Sequence, residues 1–106
     1  MSEWLFLTNH ARVLLFIAQH PTSTARRIAD AVGITERATQ RLIRDLDDAG
    51  YISRRRVGRN NQYVVHHDRH VEGHVLGSVP LASVLECLGC TGAVRQQVVA
   101  APSVAD

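Results

Sequence analysis

At 106 residues the chain has the length of about one domain, and its 45% apolar content suits a folded core, one that buries roughly 60–70% of the unfolded surface. All 12 basic residues are arginine, and they are unevenly spread: residues 1–65 hold ten Arg against six Asp/Glu, whereas residues 66–106 hold two against four. The net charge of +2 therefore conceals a basic front half. No apolar run approaches the roughly 20 residues of a membrane span. The opening WLFLTNHARVLLFIA lacks a basic leader and is interrupted by Asn9, His10 and Arg12, so a signal peptide is not expected and a cytoplasmic location is. Two cysteines do not make a disulfide framework.

In chain order, TNHARVLLFIAQ (8–19) predicts a helix capped by Thr8 or Asn9, with Pro21 just beyond its end. Its run from Val13 to Ala18 leaves almost no polar face. Such a helix needs cover on two sides, from the core and from a partner chain, which makes Leu15 and Phe16 candidate dimer contacts. Trp4, Leu5, Phe6 and Leu7 offer the alternative of cover from within. Ser23 or Thr24 caps a second helix, in which Ala25, Ile28, Ala29 and Val32 follow the i, i+3, i+4, i+7 spacing before Gly33. Thr35 caps a third, with Ala38, Leu42, Leu46 and Ala49 on one stripe and Gly50 at its end. Helix, glycine turn and capped helix make a helix-turn-helix unit.

At 100° per residue, Glu36, Arg37, Gln40, Arg44 and Asp47 lie opposite that stripe, with Arg41 at its flank. A polar helix face is commonly no more than a solvated one. Here it is followed by two β-type runs, YISRRR (51–56) and QYVV (62–65), joined by VGRNN (57–61), whose glycine and asparagines suit a hairpin loop. A basic hairpin after a helix-turn-helix is a wing.

The stretch STARRIADAVGITERATQRLIRDLDDAGYISRRRVGRNNQYVV resembles the winged helix-turn-helix transcription regulators of the MarR and ArsR type, over about Thr8 to His66. IADAVGIT looks like the family's turn, LDDAGYI like its exit from the recognition helix, and RRRVGRNNQYVV like its wing. The resemblance implies a homodimer that binds double-stranded DNA, with the third helix in the major groove and the wing on the minor groove or backbone. It implies groove or phosphate contacts for Thr35, Glu36, Arg37, Thr39, Gln40, Arg41 and Arg44, phosphate contacts for Thr24 and Arg26, and wing contacts for Arg54, Arg56, Arg59 and Asn60. Arginine bonds guanine bidentately and glutamine adenine, so Arg37 and Gln40 are the first choices for base readers. Glu36 can accept from cytosine, or simply be a favourable charge at a helix N-terminus. The chain is too short to copy the long flanking helices of a MarR-type dimer. No cysteine precedes Cys87 to form an ArsR-type metal site, so no effector is implied.

After Val65 a polar, histidine-rich stretch reads as a connection. Pro80 then opens a short helix with Leu81, Val84, Leu85 and Leu88 on one stripe, ending at Gly89. This stripe is expected to pack on the first helix, its own or a partner's, as part of a dimer interface. Residues 91–100 suggest another short helical piece, and 102–106 a frayed tail. Cys87 and Cys90 have CxxC spacing, and with His70 and His74 they are the residues that would hold zinc. The plainer alternative makes the cysteines small buried hydrophobes and the histidines solvated. No metal or cofactor is assigned. Neither a nucleophile–base pair nor a phosphate-binding glycine loop stands out, so an enzyme is not expected.

The expectation is a mainly α fold with a small β-hairpin: a winged helix-turn-helix over residues 1–66, then a connector and C-terminal helix over 67–106. The function expected is sequence-specific regulation of transcription. The alternative is a winged-helix architectural or protein-interaction module.

Overall fold

Thr8 starts the first helix as expected: its hydroxyl accepts from the Ala11 N–H at 3.2 Å, and α1 runs Asn9–Gln19. A computed structural model describes residues 6–58 and 60–89. Trp4, Leu5, Arg59, Cys90, the piece at 91–100 and the tail lie outside the described residues. The described elements continue as β1 (Thr22–Ser23), α2 (Ala25–Val32), α3 (Glu36–Asp48), β2 (Ile52–Val57), β3 (Asn60–Val65), β4 (His70–Gly73), β5 (Gly77–Pro80) and α4 (Leu81–Cys87). Two compact units divide the chain, Met1–Val65 and His66–Asp106, in place of the single unit that the length suggested.

In the first unit α1, α2 and α3 pack on one another. The α2 stripe is buried as its spacing requires, at Ala25, Ile28, Ala29 and Val32. Ile17, Ile28 and Ile43, one from each helix, are at most 1% exposed; each such side chain contributes roughly 1.5–3 kcal/mol by leaving water. The α3 stripe differs from expectation. Thr39, Leu42, Ile43 and Leu46 are buried, Ala38 is half-buried and Ala49 exposed. The buried face is turned by about one residue, because Leu42 and Ile43 both enter the core and the smaller alanines leave no comparable area to bury. Asp45 is exposed and pairs with His10 of α1 at 2.8 Å. Arg12 adds a second tie, donating to the Val32 carbonyl at 2.8 Å. Phe6 is 87% exposed.

The turns follow from glycine. Gly33, at φ 87°, takes the left-handed conformation that ends α2. Gly50 does the same after α3: its N–H bonds the Asp47 carbonyl and the Tyr51 N–H bonds the Leu46 carbonyl, the paired bonds of a Schellman motif. Val57 pairs with Asn60, so the wing turn is two residues long rather than five. In that turn Gly58 has φ 62°, as a tight hairpin demands. The two-residue β1 adds a third strand, Thr22 opposite Gln62 and Ser23 opposite Asn61, so the sheet order is β1-β3-β2.

In the second unit the polar connection is a hairpin, β4 against β5, with Val71 opposite Val79. Its three-residue loop closes at Gly77, φ 78°. Pro80 ends β5 and is the N-cap of α4, which begins at Leu81, one residue after the expected start at Pro80. Leu81 and Leu85 are 2% and 1% exposed within the single chain.

His67 is 8% exposed, and its Nδ1 has no hydrogen-bond partner among the described residues. Burial lowers its pKa, an effect that Asp68 opposes and His66 reinforces. The unfolded chain therefore takes up a proton on this ring near the ordinary value of about 6.5, while the folded chain holds out to lower pH. Stability should fall as pH drops through this window and level off once the folded ring also protonates. Urea midpoints between about pH 7.5 and pH 5.5 are expected to fall less for His67→Leu than for the unaltered chain; equal falls would remove His67 as a cause.

Candidate nucleic-acid interface

The outward side of α3 is built by the caps and the core. The Thr35 hydroxyl accepts from the Ala38 N–H at 3.0 Å, which fixes where the helix begins. Core packing of Leu42, Ile43 and Leu46 then turns Glu36, Arg37, Gln40, Arg41 and Arg44 to solvent. Thr35, Arg37, Ala38, Gln40, Arg41 and Arg44 line one open groove of about 570 Å³. A second, of about 390 Å³, lies between α3 and the wing and is lined by Ala25, Gln40, Ile43, Arg44, Arg54, Arg55, Arg56 and Asn61. Gln40 and Arg44 line both, and neither lining includes an acidic side chain.

The sheet register sorts the wing. Ile52, Arg54 and Arg56 stand opposite Val65, Tyr63 and Asn61; the burial of Ile52, Tyr63 and Val65 makes this the core-facing side. Arg55 pairs with Gln62 on the other side. Tyr63 is 3% exposed, and its hydroxyl accepts from Asn61 Nδ2 at 3.1 Å. Burial raises its pKa, which the Asn61 bond and the Arg54 charge oppose. The Arg54 Nε lies 3.3 Å from Asp47 Oδ2 on the last turn of α3.

The expected contacts thus divide. Arg37, Gln40, Arg41, Arg44, Arg54 and Arg56 are brought together around the two grooves. Arg26 is exposed on the first turn of α2, and Thr24 caps that helix, accepting from the Arg27 N–H at 3.1 Å. Glu36 is exposed in the first turn of α3 and lines neither groove, a position that suits the helix-dipole role. Asn60 is exposed at the wing turn, and Arg59 lies outside the described residues.

Thr39 is a correction. It is 0% exposed, and its hydroxyl donates to the Thr35 carbonyl at 2.9 Å, one turn back, so it belongs to the core and not to a contact surface. Thr39→Val is expected to cost about 0.5–1.5 kcal/mol of stability and to leave DNA affinity unchanged; altered base preference would contradict this placement. Arg55 and Asn61 are groove residues that the sequence did not single out. The register puts Asn61 opposite Arg56 on the core-facing side, a signal legible only once the pairing is known, whereas Arg55 pairs with Gln62 on the other side and the alternation does not mark it.

Leu81 and Leu85 are a second correction: the chain already buries them, so they belong to its own core rather than to a dimer surface. Leu15, Phe16, Val84 and Leu88 remain partly exposed. Among the described residues no three His, Cys, Asp or Glu side chains are placed to hold a metal ion. His70 is hydrogen-bonded to Ser78 Oγ at 2.8 Å, His74 is exposed in the β4–β5 loop, Cys87 is exposed rather than buried, and Cys90 lies outside the described residues. Nor is any described helix long and apolar enough to cross a membrane.

Three solved structures share the fold. A MarR family transcriptional regulator from Silicibacter pomeroyi DSS-3 aligns with a TM-score of 0.55 at 16% identity, over 88% of this chain and 60% of its own. A mutant of Lactococcus lactis ZitR aligns at 0.57 and 15% identity, over 97% and 66%. A MarR family protein of Mycobacterium tuberculosis, in complex with salicylic acid, aligns at 0.50 and 24% identity, over 92% and 67%. The chain thus spans 60% to 67% of the length of these structures. No curated protein matches it in sequence. The MarR family model matches residues 6–60, a run that takes in the three packed helices, both grooves' α3 residues and the arginines of β2, and the chain belongs to the MarR family.

Proposed function

We propose that this chain regulates transcription in the cytoplasm by binding specific double-stranded DNA as a homodimer, with α3 in the major groove and the wing on the backbone or minor groove. The observation that carries this is the ridge formed by Gln40 and Arg44 between two acid-free grooves, with Arg37 and Arg41 on one side and the β2 arginines on the other. Phosphate binding alone would not need the amide of Gln40. Arg37 and Gln40 read base edges, Arg44 and Arg56 hold phosphate, and Thr24 and Arg26 meet the backbone at the start of α2. Arg59 and Asn60 serve the wing tip. Of the expected dimer positions, Leu15 and Phe16 of α1 and Val84 and Leu88 of α4 keep exposed area for a partner chain.

Duplex binding followed by anisotropy across a salt series tests this. Each phosphate neutralised adds about −0.9 to the slope of log affinity against log salt, so a slope of several units is expected. No duplex binding at low salt would move the assignment to a protein-interaction module. Arg37→Ala should relax preference at one base position per half-site, where a bidentate pair discriminates by about 1–3 kcal/mol. An unchanged preference there would remove Arg37 from the base readers.

A further inference from the structure

Asp47 pairs with a groove arginine, its Oδ2 3.3 Å from Arg54 Nε. Its position is not explained by α3 itself. It stands on the last turn, where the helix's negative pole disfavours a carboxylate. The carbonyls there are met by the Gly50 and Tyr51 N–H groups, and a carboxylate has no proton to offer them. An Arg54 that meets a phosphate does so with a guanidinium whose charge Asp47 already offsets. The two side chains are 36% and 39% exposed, so the pair is half-exposed rather than sealed in the core; Arg54 lines the groove and Asp47 stands just outside its lining.

We propose that Asp47 is a built-in counter-charge, which shares Arg54 with the DNA phosphate and so holds down affinity for duplexes of every sequence. This rests on the DNA-binding reading above. The base readers lie elsewhere on α3, so the counter-charge sets overall affinity and salt range without altering which sequence is preferred.

The test uses the full chain and a labelled mixed-sequence duplex three helical turns long, titrated across a salt series. Asp47→Asn is expected to tighten binding about threefold, the scale of one exposed ion pair, and to make the salt slope steeper by about 0.9, one further neutralised phosphate. Asp48→Asn makes the same charge change at the neighbouring exposed position, and should give a clearly smaller effect because the ion pair to Arg54 is made by Asp47. In an Arg54→Ala background, Asp47→Asn should give no gain beyond that of Asp48→Asn. Thermal melts accompany each variant, and Asp47→Ser makes the same comparison if the amide variant melts early. Equal gains from Asp47→Asn and Asp48→Asn, an unchanged affinity, or weaker binding by Asp47→Asn would each overturn the proposal. Weaker binding would make Asp47 a positioning residue for Arg54. Failure of the unaltered chain to bind the duplex would overturn the DNA-binding reading itself, and this proposal with it.

Discussion

Replacing Arg44 and Arg56 together with alanine is expected to weaken binding to duplex DNA of every sequence by about a hundredfold, taking each charge-assisted contact at about 1.5 kcal/mol. The salt slope should become shallower by about 1.8, the loss of two phosphates. Both side chains are exposed and border the groove between α3 and the wing, so stability should move by no more than about 0.5 kcal/mol. Anisotropy titrations across salt, paired with thermal melts, separate the two readouts. Arg44 should account for the larger share of the loss because it lines both grooves. Unchanged affinity in the double variant would place the DNA on another face of the protein.

The largest stability effect should come from Ile28→Ala. Ile28 is 0% exposed on α2, the helix that packs against both α1 and α3. Such a truncation costs about 2–5 kcal/mol through lost burial and the cavity left behind, against a total of about 5–15 kcal/mol for a typical domain. DNA binding should fail by unfolding, with urea midpoint and binding lost together, whereas Ile28→Val should cost only about 0.5–1.5 kcal/mol and bind normally. A loss under about 1 kcal/mol for Ile28→Ala would mean that the three-helix core does not hold α3 in place.

Much of this architecture was legible because single residues carried its punctuation. Thr8, Thr24 and Thr35 cap their helices through the side-chain oxygen, Gly33 and Gly50 end α2 and α3 with positive φ, and the α2 stripe is unambiguous. The α3 stripe was ambiguous because two apolar residues, Leu42 and Ile43, are adjacent. Only packing decides between Ala38 and Thr39, and a threonine enters the core when its hydroxyl can bond back to a carbonyl one turn earlier, as Thr39 does to Thr35.

What escaped sequence reading had no periodicity to reveal it. The two residues of β1 are too few to alternate. In β4 and β5 both faces are largely exposed, so the apolar alternation that normally marks a strand is missing, and the pairing shows mainly in Val71 opposite Val79. Within the site, three consecutive arginines in β2 look equivalent in sequence. Register divides them, placing Arg54 and Arg56 on the core-facing side and Arg55 on the other, and only the fold brings Asp47 up to Arg54.

Sequence-specific binding by a dimer is tested by selection from a random-sequence duplex pool at near-physiological salt, followed by sequencing of the bound fraction. A DNA-reading homodimer should enrich a two-fold symmetric motif with half-sites about one or two helical turns apart, with the preference at one base position per half-site lost in the Arg37→Ala variant. Recovery of fragments with no common motif, or of no fragments at all, would contradict sequence-specific binding by a dimer.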